Sequence, residues 1–308
     1  MSSRTRRGFP TLQVALSFLL VIGVALVLVG LRLAPGSPLA GRGNPASAGT
    51  AGSGATPTPT PTPTPTLPPL AVHNAPVNLT VDGWYAWAMM DQRTGEIYGS
   101  KNMGSTSGTA SMIKAWIASD FLRRSAEQGV TPSKARLNEV SIMIRDSDNN
   151  AAQDLWEYVG GAPSITRMVK TCKLTDSKAQ KNSWSQTQVS PRDTTRLAAC
   201  IADGRAAGKK WTSWLLNEMR QVRGVGDFGI RKAFPADEQK TIAIKNGWVT
   251  RSATGEWNVN CLAIGDGWTM GVMSRYEASK GYTYGADICK KVAKQLLNPD
   301  AAAGSPPA

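Results

Sequence analysis

The segment Glu256–Tyr276, with the sequence EWNVNCLAIGDGWTMGVMSRY, contains two apolar runs on either side of Gly265-Asp266-Gly267. Apolar runs of this length that are joined by a short glycine-containing turn are typical of a β-hairpin. A third strand is predicted upstream over residues 241–250, before the turn residues 252–255. The C-terminal part of the chain is therefore predicted to be mostly antiparallel strands.

The elements predicted on either side extend this sheet and cover it. A hairpin is predicted over 84–100, around the turn Asp91–Gly95. Apolar periodicity and capping residues predict helices between and after the strands, at 110–128, 150–159, 164–172, 192–203, 210–219 and 285–297. This order predicts an α/β (α+β) domain, in which one antiparallel sheet brings both chain ends together and packs against helices.

The N-terminal third has a different composition. Three arginines within residues 1–10 precede an uncharged run over Thr11–Leu31, which has the length of a bilayer span. Because arginines stay inside the cell, we expect a cytoplasmic N-terminus (1–10), a transmembrane signal-anchor (11–33) and a body outside the cell. A signal peptide cleaved near Ser37–Ala40 is the alternative, and it would make the protein secreted. No cysteine follows the run, which excludes a lipoprotein anchor.

Proline and threonine dominate the next segment. Residues 34–75 are predicted to be a disordered, extended Pro/Thr-rich linker, with or without glycosylation on its threonines. A folded domain is predicted over 76–298, followed by a disordered tail over 299–308.

All four cysteines fall within the predicted domain, at Cys172, Cys200, Cys261 and Cys289. An even number of cysteines in an exported chain favours disulfides over a metal site, since no C-x-x-C spacing is present. Three connectivities are possible. We prefer Cys172–Cys200 and Cys261–Cys289, because each pair joins neighbouring elements.

Charge and histidine content restrict the function. The net charge is +13 and the only histidine is His73, so a Ser-His-Asp triad or a multi-histidine zinc site cannot form in the predicted domain. We expect no cofactor and no metal. For a domain outside the cytoplasm, nucleic acid is not an expected partner. Anionic lipid or cell-wall polymer is a reasonable partner for the basic surface. The alternative is a basic surface that contacts only solvent.

Ser111-Met112-Ile113-Lys114 opens the first predicted helix. Residues three apart on a helix are neighbours, so Lys114 is expected to contact Ser111. The helix dipole and burial both disfavour a charged ammonium there, so a neutral Lys114 could accept the serine proton in place of histidine. The motif alone is weak, because it occurs frequently by chance.

Two further motifs follow in order: Ser147-Asp148-Asn149 and Lys245-Asn246-Gly247. Together the three motifs resemble the signature of the class A β-lactamases and penicillin-binding proteins. The resemblance covers roughly Val81–Leu297. It implies a β-lactamase/transpeptidase-like fold.

The resemblance also implies the catalytic roles. Ser111 would attack the substrate carbonyl with Lys114 as its base. Ser147 would pass a proton to the leaving nitrogen, and Lys245 would polarise Ser147 and hold the substrate carboxylate.

Four residues are then expected to bind substrate. Asn149 would bind the side-chain amide of the substrate, and Asn246 its carboxylate. Gly247 completes the strand motif. The backbone N–H groups of Trp248 and Ser111 would hold the oxyanion.

This sequence departs from the family pattern in three ways. Asn246 stands where Thr or Ser is usual, and only 36 positions separate Ser111 from Ser147, which predicts a reduced helical subdomain and an open site. Between Cys172 and Asp193 there is no Glu to activate a deacylating water, and Asp176 is the only acid. Glu157 is expected on the surface.

The expected function is an extracytoplasmic, monomeric serine hydrolase that faces the cell wall. It would form an acyl-enzyme on Ser111 with β-lactams or D-alanyl peptides and release it slowly. A D,D-carboxypeptidase or penicillin-binding activity is the alternative within this class. A non-catalytic wall-binding or penicillin-sensing module is the alternative from another class.

Overall fold

The predicted hairpin is the centre of the sheet. Strands β7 (Glu256–Gly265) and β8 (Trp268–Glu277) pair in antiparallel fashion over their whole length, in the computed structural model of the protein. The structure describes residues 67–178 and 183–298. The turn between these strands places Gly267 at φ 72°, a left-handed conformation that glycine adopts without strain.

The remaining strands flank this pair in the order β2-β1-β8-β7, with β5 and β6 both on the outer edge of β7. The other strands are β1 (Trp84–Asp91), β2 (Ile97–Gly99), β5 (Ala243–Ile244) and β6 (Gly247–Arg251), and a separate two-stranded ladder of β3 (Ser107–Gly108) and β4 (Gln188–Val189). The helices are α1 (Lys114–Glu127), α2 (Lys134–Arg145), α3 (Asn149–Tyr158), α4 (Ala162–Cys172), α5 (Pro191–Ala202), α6 (Lys209–Arg220) and α7 (Gly281–Leu296).

Helices cover both faces of the sheet. On one face, α5 approaches β8 so closely that a Cβ on Gly271 would lie 2.6 Å from the Cβ of Thr194. On the other face, a Cβ on Gly285 of α7 would lie 2.5 Å from the Cβ of Val259. Residues 258–264 of β7 are therefore buried, including the polar Asn258 and Asn260, and only the second half of the strand, Cys261–Ile264, is a continuous apolar run. The α/β fold class is as predicted.

Three elements differ from the prediction. Helix α2 was not predicted, although Ser133 caps its N-terminus by accepting a hydrogen bond from Arg136 N. It is the one helix between α1 and Ser147, as the short spacing required. Helix α7 begins at Gly281, four residues earlier than predicted. The strand predicted over 241–250 is divided into β5 and β6, but its pairing with β7 continues in register across the gap.

The two ends of the described chain meet. Val72 is 1% exposed and pairs with Leu297, and His73 N donates a hydrogen bond to Leu296 O. Ordered packing therefore starts inside the linker predicted over 34–75, since burying Val72 and pairing its backbone stabilises this segment. The predicted N-terminus (1–10), signal-anchor (11–33) and tail (299–308) lie outside the described residues. Within 67–178 and 183–298, no helix has the length and apolar character needed to cross a membrane.

Both preferred disulfides are present. Cys172–Cys200 links the end of α4 to α5, and Cys261–Cys289 links β7 to α7. Each closes a loop of 28 residues, which is worth about 3–4 kcal/mol by the chain-entropy model.

Candidate active site

Ser111 lies in a turn of 3-10 helix, Ala110–Ile113, which leads directly into α1. Ala110, immediately before it, has φ 48°, a left-handed conformation that costs a residue with a Cβ free energy. Such strain persists only where the surroundings impose it. The half-buried Ser111 is therefore held at a fixed point at the start of a buried helix.

Gly247 lets the edge strand β6 lie against this turn. A Cβ on Gly247 would be 2.3 Å from Thr109 O, 2.5 Å from Met112 N and 2.8 Å from Ser111 N. Only a residue without a side chain allows such an approach. The backbone of β6 and the N–H of Ser111 are thus adjacent, the arrangement that an oxyanion site between Ser111 and Trp248 requires.

Lys114 is fully buried at the start of α1. Its Nζ donates hydrogen bonds to Ser147 O at 2.6 Å and to Asn149 Oδ1 at 2.7 Å, and Ser147 Oγ is 3.4 Å away. Burial lowers the pKa of Lys114 from 10.5 to about 7, although the charge of Asp148 acts in the opposite direction. A neutral amine has two N–H groups, and the two short hydrogen bonds use both, leaving its lone pair free to accept a proton.

Ser147 stands between two lysines. Lys245 Nζ lies 2.9 Å from Ser147 Oγ, and Lys245 is also fully buried. Burial, followed by the charge of Lys114, lowers the pKa of Lys245 well below its ordinary value. Ser147 itself has φ 61° in the loop between α2 and α3. Two amines with lowered pKa values at one hydroxyl form a route for proton transfer.

Asn149 is the first residue of α3, which Asp148 caps by accepting a hydrogen bond from Ala151 N. Because the Asn149 amide oxygen accepts from Lys114, its NH₂ group remains to donate to a ligand carbonyl. The structure therefore brings Lys114, Ser147, Asn149 and Lys245 together by hydrogen bonds. Among the described residues no hydrogen bond joins Lys114 to Ser111.

Asn246, which lies between β5 and β6, is bound to the backbone of a neighbouring loop. Its Nδ2 donates to Gly226 O at 3.0 Å and to Phe228 O at 2.8 Å, and the residue is 1% exposed. These two carbonyls use both N–H donors of the amide, and the contact of Asn246 with a substrate carboxylate stays a prediction. In the structure Asn246 fixes the loop that carries Phe228, whose ring packs edge-on against Trp248 at 5.6 Å.

Trp184, which sequence reasoning did not identify, covers the other side of Lys114. The Lys114 Nζ lies 4.9 Å from the centre of the Trp184 ring. The indole Nε1 donates to Gln153 Oε1 at 3.1 Å, and Gln153 in turn donates to the exposed Glu157. No sequence signal marks this tryptophan, since nothing predicted how the loop between α4 and α5 folds.

Asp176, the acid considered for deacylation, takes part in another network. Its carboxylate accepts hydrogen bonds from Arg192 at 2.8 and 3.1 Å and from Ser190 Oγ at 2.6 Å. Burial raises its pKa, but the hydrogen bonds from Arg192 and Ser190 outweigh burial and lower it overall. Asp176 is thus a structural ion-pair partner. Within 67–178 and 183–298, no cluster of three His, Cys, Asp or Glu side chains could hold a metal ion.

The fold is shared with solved β-lactamases at low sequence identity. A β-lactamase from Chitinophaga pinensis superposes with a TM-score of 0.58 and 19% identity, over 71% of this chain and 94% of that one. The TLA-3 extended-spectrum β-lactamase gives 0.58 and 15%, over 70% of this chain and 94% of that one. At these identities the likeness concerns the fold alone.

Sequence relatives agree with the structural likeness. "Putative lipoprotein LppW" of Mycobacterium tuberculosis is 26% identical over 167 residues, 53% of this chain and 53% of that protein. The chain thus spans about half the length of the curated relatives it matches. The model of the Beta-lactamase enzyme family matches residues 137–298, just over half of the chain. Ser147 and Lys245 fall within this match, whereas Ser111 and Lys114 precede it. The chain belongs to the β-lactamase enzyme family.

Proposed function

We propose that the protein is an extracytoplasmic serine hydrolase, which β-lactams or D-alanyl peptides acylate on Ser111 and which releases the acyl group slowly. The observation that carries this proposal is the pair of buried lysines, Lys114 and Lys245, whose nitrogens both lie within 3.4 Å of Ser147 Oγ. Burying two protonated amines without a charged partner is costly in free energy, so it lowers their pKa values. Amines with lowered pKa values suit proton transfer.

Acylation begins at Ser111. The neutral amine of Lys114 removes the hydroxyl proton while Ser111 Oγ forms a bond to the substrate carbonyl carbon. The carbonyl oxygen becomes an oxyanion, which the backbone N–H groups of Ser111 and Trp248 stabilise. The close contact that Gly247 permits supports this pairing of donors.

The second half of acylation breaks the carbon–nitrogen bond. Ser147 gives its proton to the departing nitrogen, and the Lys114 ammonium, which holds the proton from Ser111, restores the Ser147 proton. The Lys245 amine, 2.9 Å from Ser147 Oγ, polarises this hydroxyl and binds the substrate carboxylate. The NH₂ group of Asn149 binds the side-chain amide of the substrate.

Slow release follows from the neighbourhood of Lys114. Deacylation needs a water and a base that removes its proton. Trp184 covers Lys114 with an apolar ring, and Arg192 and Ser190 engage the carboxylate of Asp176. Neither Trp184 nor Asp176 supplies a base at the acyl-serine, so the acyl-enzyme should be long-lived.

The two disulfides support a location outside the cytoplasm, where such bonds persist. The mycobacterial relative named as a lipoprotein points to the cell envelope too. The proposal includes membrane attachment through residues 11–33. It also includes a monomeric body over 76–298, which the linker holds away from the membrane.

Labelling with a fluorescent penicillin tests the proposal. The wild-type protein should form a covalent adduct that survives denaturing electrophoresis, and Ser111→Ala should form none. Ser119→Ala is the matched control, because the hydroxyl of this buried serine of α1 donates to a backbone carbonyl and, within 67–178 and 183–298, to nothing else. Absence of any adduct on the folded wild type would instead favour a non-catalytic wall-binding or penicillin-sensing module.

A further inference from the structure

A second polar groove lies beside the candidate active site. It has a volume of about 300 Å³ and opens where the ends of β6 and β7 meet the loop before α5. Its charged lining residues are Arg251, Glu256 and Arg275. We refer to these three residues and the space between them as the arginine groove. None of the residues with a proposed catalytic or substrate-binding role lines this groove.

The two arginines point from the same face of the sheet. Arg275 on β8 pairs with Asn258 on β7, which pairs with Val249, two residues before Arg251. Residues that are opposite or two apart share a face. Among the described residues neither arginine forms a salt bridge, whereas most of the other arginines there do.

Both guanidinium groups retain free hydrogen-bonding capacity. Arg251 donates to Ser185 O at 2.6 Å and to Ser185 Oγ at 3.4 Å, two of the five donors that a guanidinium has. Arg275 lies against the ring of Trp84 at 4.8 Å, and its buried Nε has no acceptor among the residues that the structure describes. Burial lowers the pKa of Arg251, as expected for a cation that lacks a negative partner.

Glu256 places one negative charge in the same groove. It is the cross-strand neighbour of Arg251, yet no salt bridge or side-chain hydrogen bond within the described residues engages its carboxylate. Two cations and one anion around a single cavity match a ligand group that carries both a carboxylate and an ammonium. A simple phosphate or sulfate would use only the arginines.

Two adjacent residues of the loop before α5 connect the arginine groove to the candidate active site. Trp184 contacts Lys114, and the next residue, Ser185, contacts Arg251. The Arg251 guanidinium is also 3.4 Å from the Cβ position of Gly108. Gly108 precedes Ser111 by three residues, and three residues span at most about 11 Å. A side chain on an acyl group at Ser111 is thus within reach of the groove.

We propose that the arginine groove binds a free amino-acid group on the side chain of the acyl donor, its carboxylate on Arg251 and Arg275 and its ammonium on Glu256. This inference rests on the proposed acylation of Ser111. It narrows the substrate class to donors whose side chain ends in a zwitterionic amino-acid centre.

Three cephalosporins with one nucleus test the inference, through the second-order rate constant for acylation of the full-length protein. Cephalosporin C carries a side chain with carboxylate and ammonium, glutaryl-7-aminocephalosporanic acid carries the carboxylate alone, and cephalothin carries neither. The wild type should prefer them in that order, by roughly tenfold at each step, the usual effect of a hydrogen bond to a charged group. Arg251→Gln should remove the preference for the carboxylate.

Two further variants make the test specific. Glu256→Gln should make cephalosporin C and the glutaryl compound equivalent, while both remain better than cephalothin. Arg205→Gln, at an exposed ion pair with Asp203, should leave all three rates unchanged. Equal rates for the three compounds on the wild type would overturn the inference but leave acylation of Ser111 intact. Failure of all three to acylate would instead contradict the proposed function.

Discussion

The indole ring of Trp184 covers the amine of Lys114, with 4.9 Å between Nζ and the ring centre. An aromatic face attracts the protonated amine but accepts no proton from water. We infer from its position beside this buried amine that the ring limits the access of solvent to the place where a deacylating base would act. Trp184 is therefore the residue on which the lifetime of the acyl-enzyme should depend most.

Replacing Trp184 should change deacylation more than acylation. Trp184→Glu places a carboxylate beside Lys114 and should speed release by roughly 10²-fold or more, the scale of general-base catalysis. Trp184→Phe keeps an aromatic ring and loses only the bond to Gln153, so its acyl-enzyme should remain long-lived. Single-turnover release measured by intact mass distinguishes them. Equal release from all three proteins would mean that the ring does not control water access.

The pKa of Lys114 should set the pH dependence of acylation. Lys114 acts as a base only when neutral, and its pKa lies at about 7. The neutral fraction rises with pH, so the acylation rate constant should increase through about pH 7 and level off above it. Lys114→Ala should slow acylation by about 10²–10⁴-fold and remove this rise. A wild-type rate that does not change between pH 5.5 and 8.5 would argue against Lys114 as the base.

Gly247→Ala should abolish efficient acylation. The new Cβ would be 2.3 Å from Thr109 O, so β6 must move away from the turn that carries Ser111. Displacing one oxyanion donor should cost about 10²–10³-fold in rate. Circular dichroism checks that the variant is folded. A folded variant that acylates at the wild-type rate would show that the oxyanion lies elsewhere.

Asp176→Asn should affect stability and not turnover. Losing the ion pair with Arg192 and the hydrogen bond from Ser190 should lower the free energy of unfolding by about 1–3 kcal/mol. Asp203→Asn, at an exposed pair, is the control and should cost less than about 1 kcal/mol. Thermal melting measures both. Faster or slower deacylation in Asp176→Asn would give this residue the catalytic role that its contacts argue against.

Much of the fold could be predicted because its signals are local. The hairpin around Gly265-Asp266-Gly267, the motif residues and the preferred pairing of Cys261 with Cys289 all follow from residue type and spacing. Helix α2 was missed although Ser133 caps it. Only Val140, Met143 and Ile144 are buried, while the further apolar residues Leu137 and Ile142 are half-buried, so the helix has a poorly separated hydrophobic face.

The motifs predicted which residue types belong to the candidate site. They did not predict side-chain contacts that depend on how loops pack. Lys114, Ser147 and Lys245 are joined by hydrogen bonds, although only Lys114 lies on a helix, Ser147 lies in a loop and Lys245 lies between β5 and β6. The direction of Asn246 depends on a loop around Phe228, and the contact of Trp184 with Lys114 depends on another loop. Long-range loop packing of this kind leaves no periodic signal in the sequence.

Acylation of Ser111 and slow release of the acyl group can both be followed by intact mass, in a time course after a single addition of benzylpenicillin. We predict that the wild-type protein gains the full mass of the drug and loses it over minutes or longer, with the modified peptide mapping to Ser111. Turnover of many drug molecules per second with no adduct accumulating, or an adduct on Ser111→Ala equal to that on the wild type, would contradict the proposed acylation and slow release.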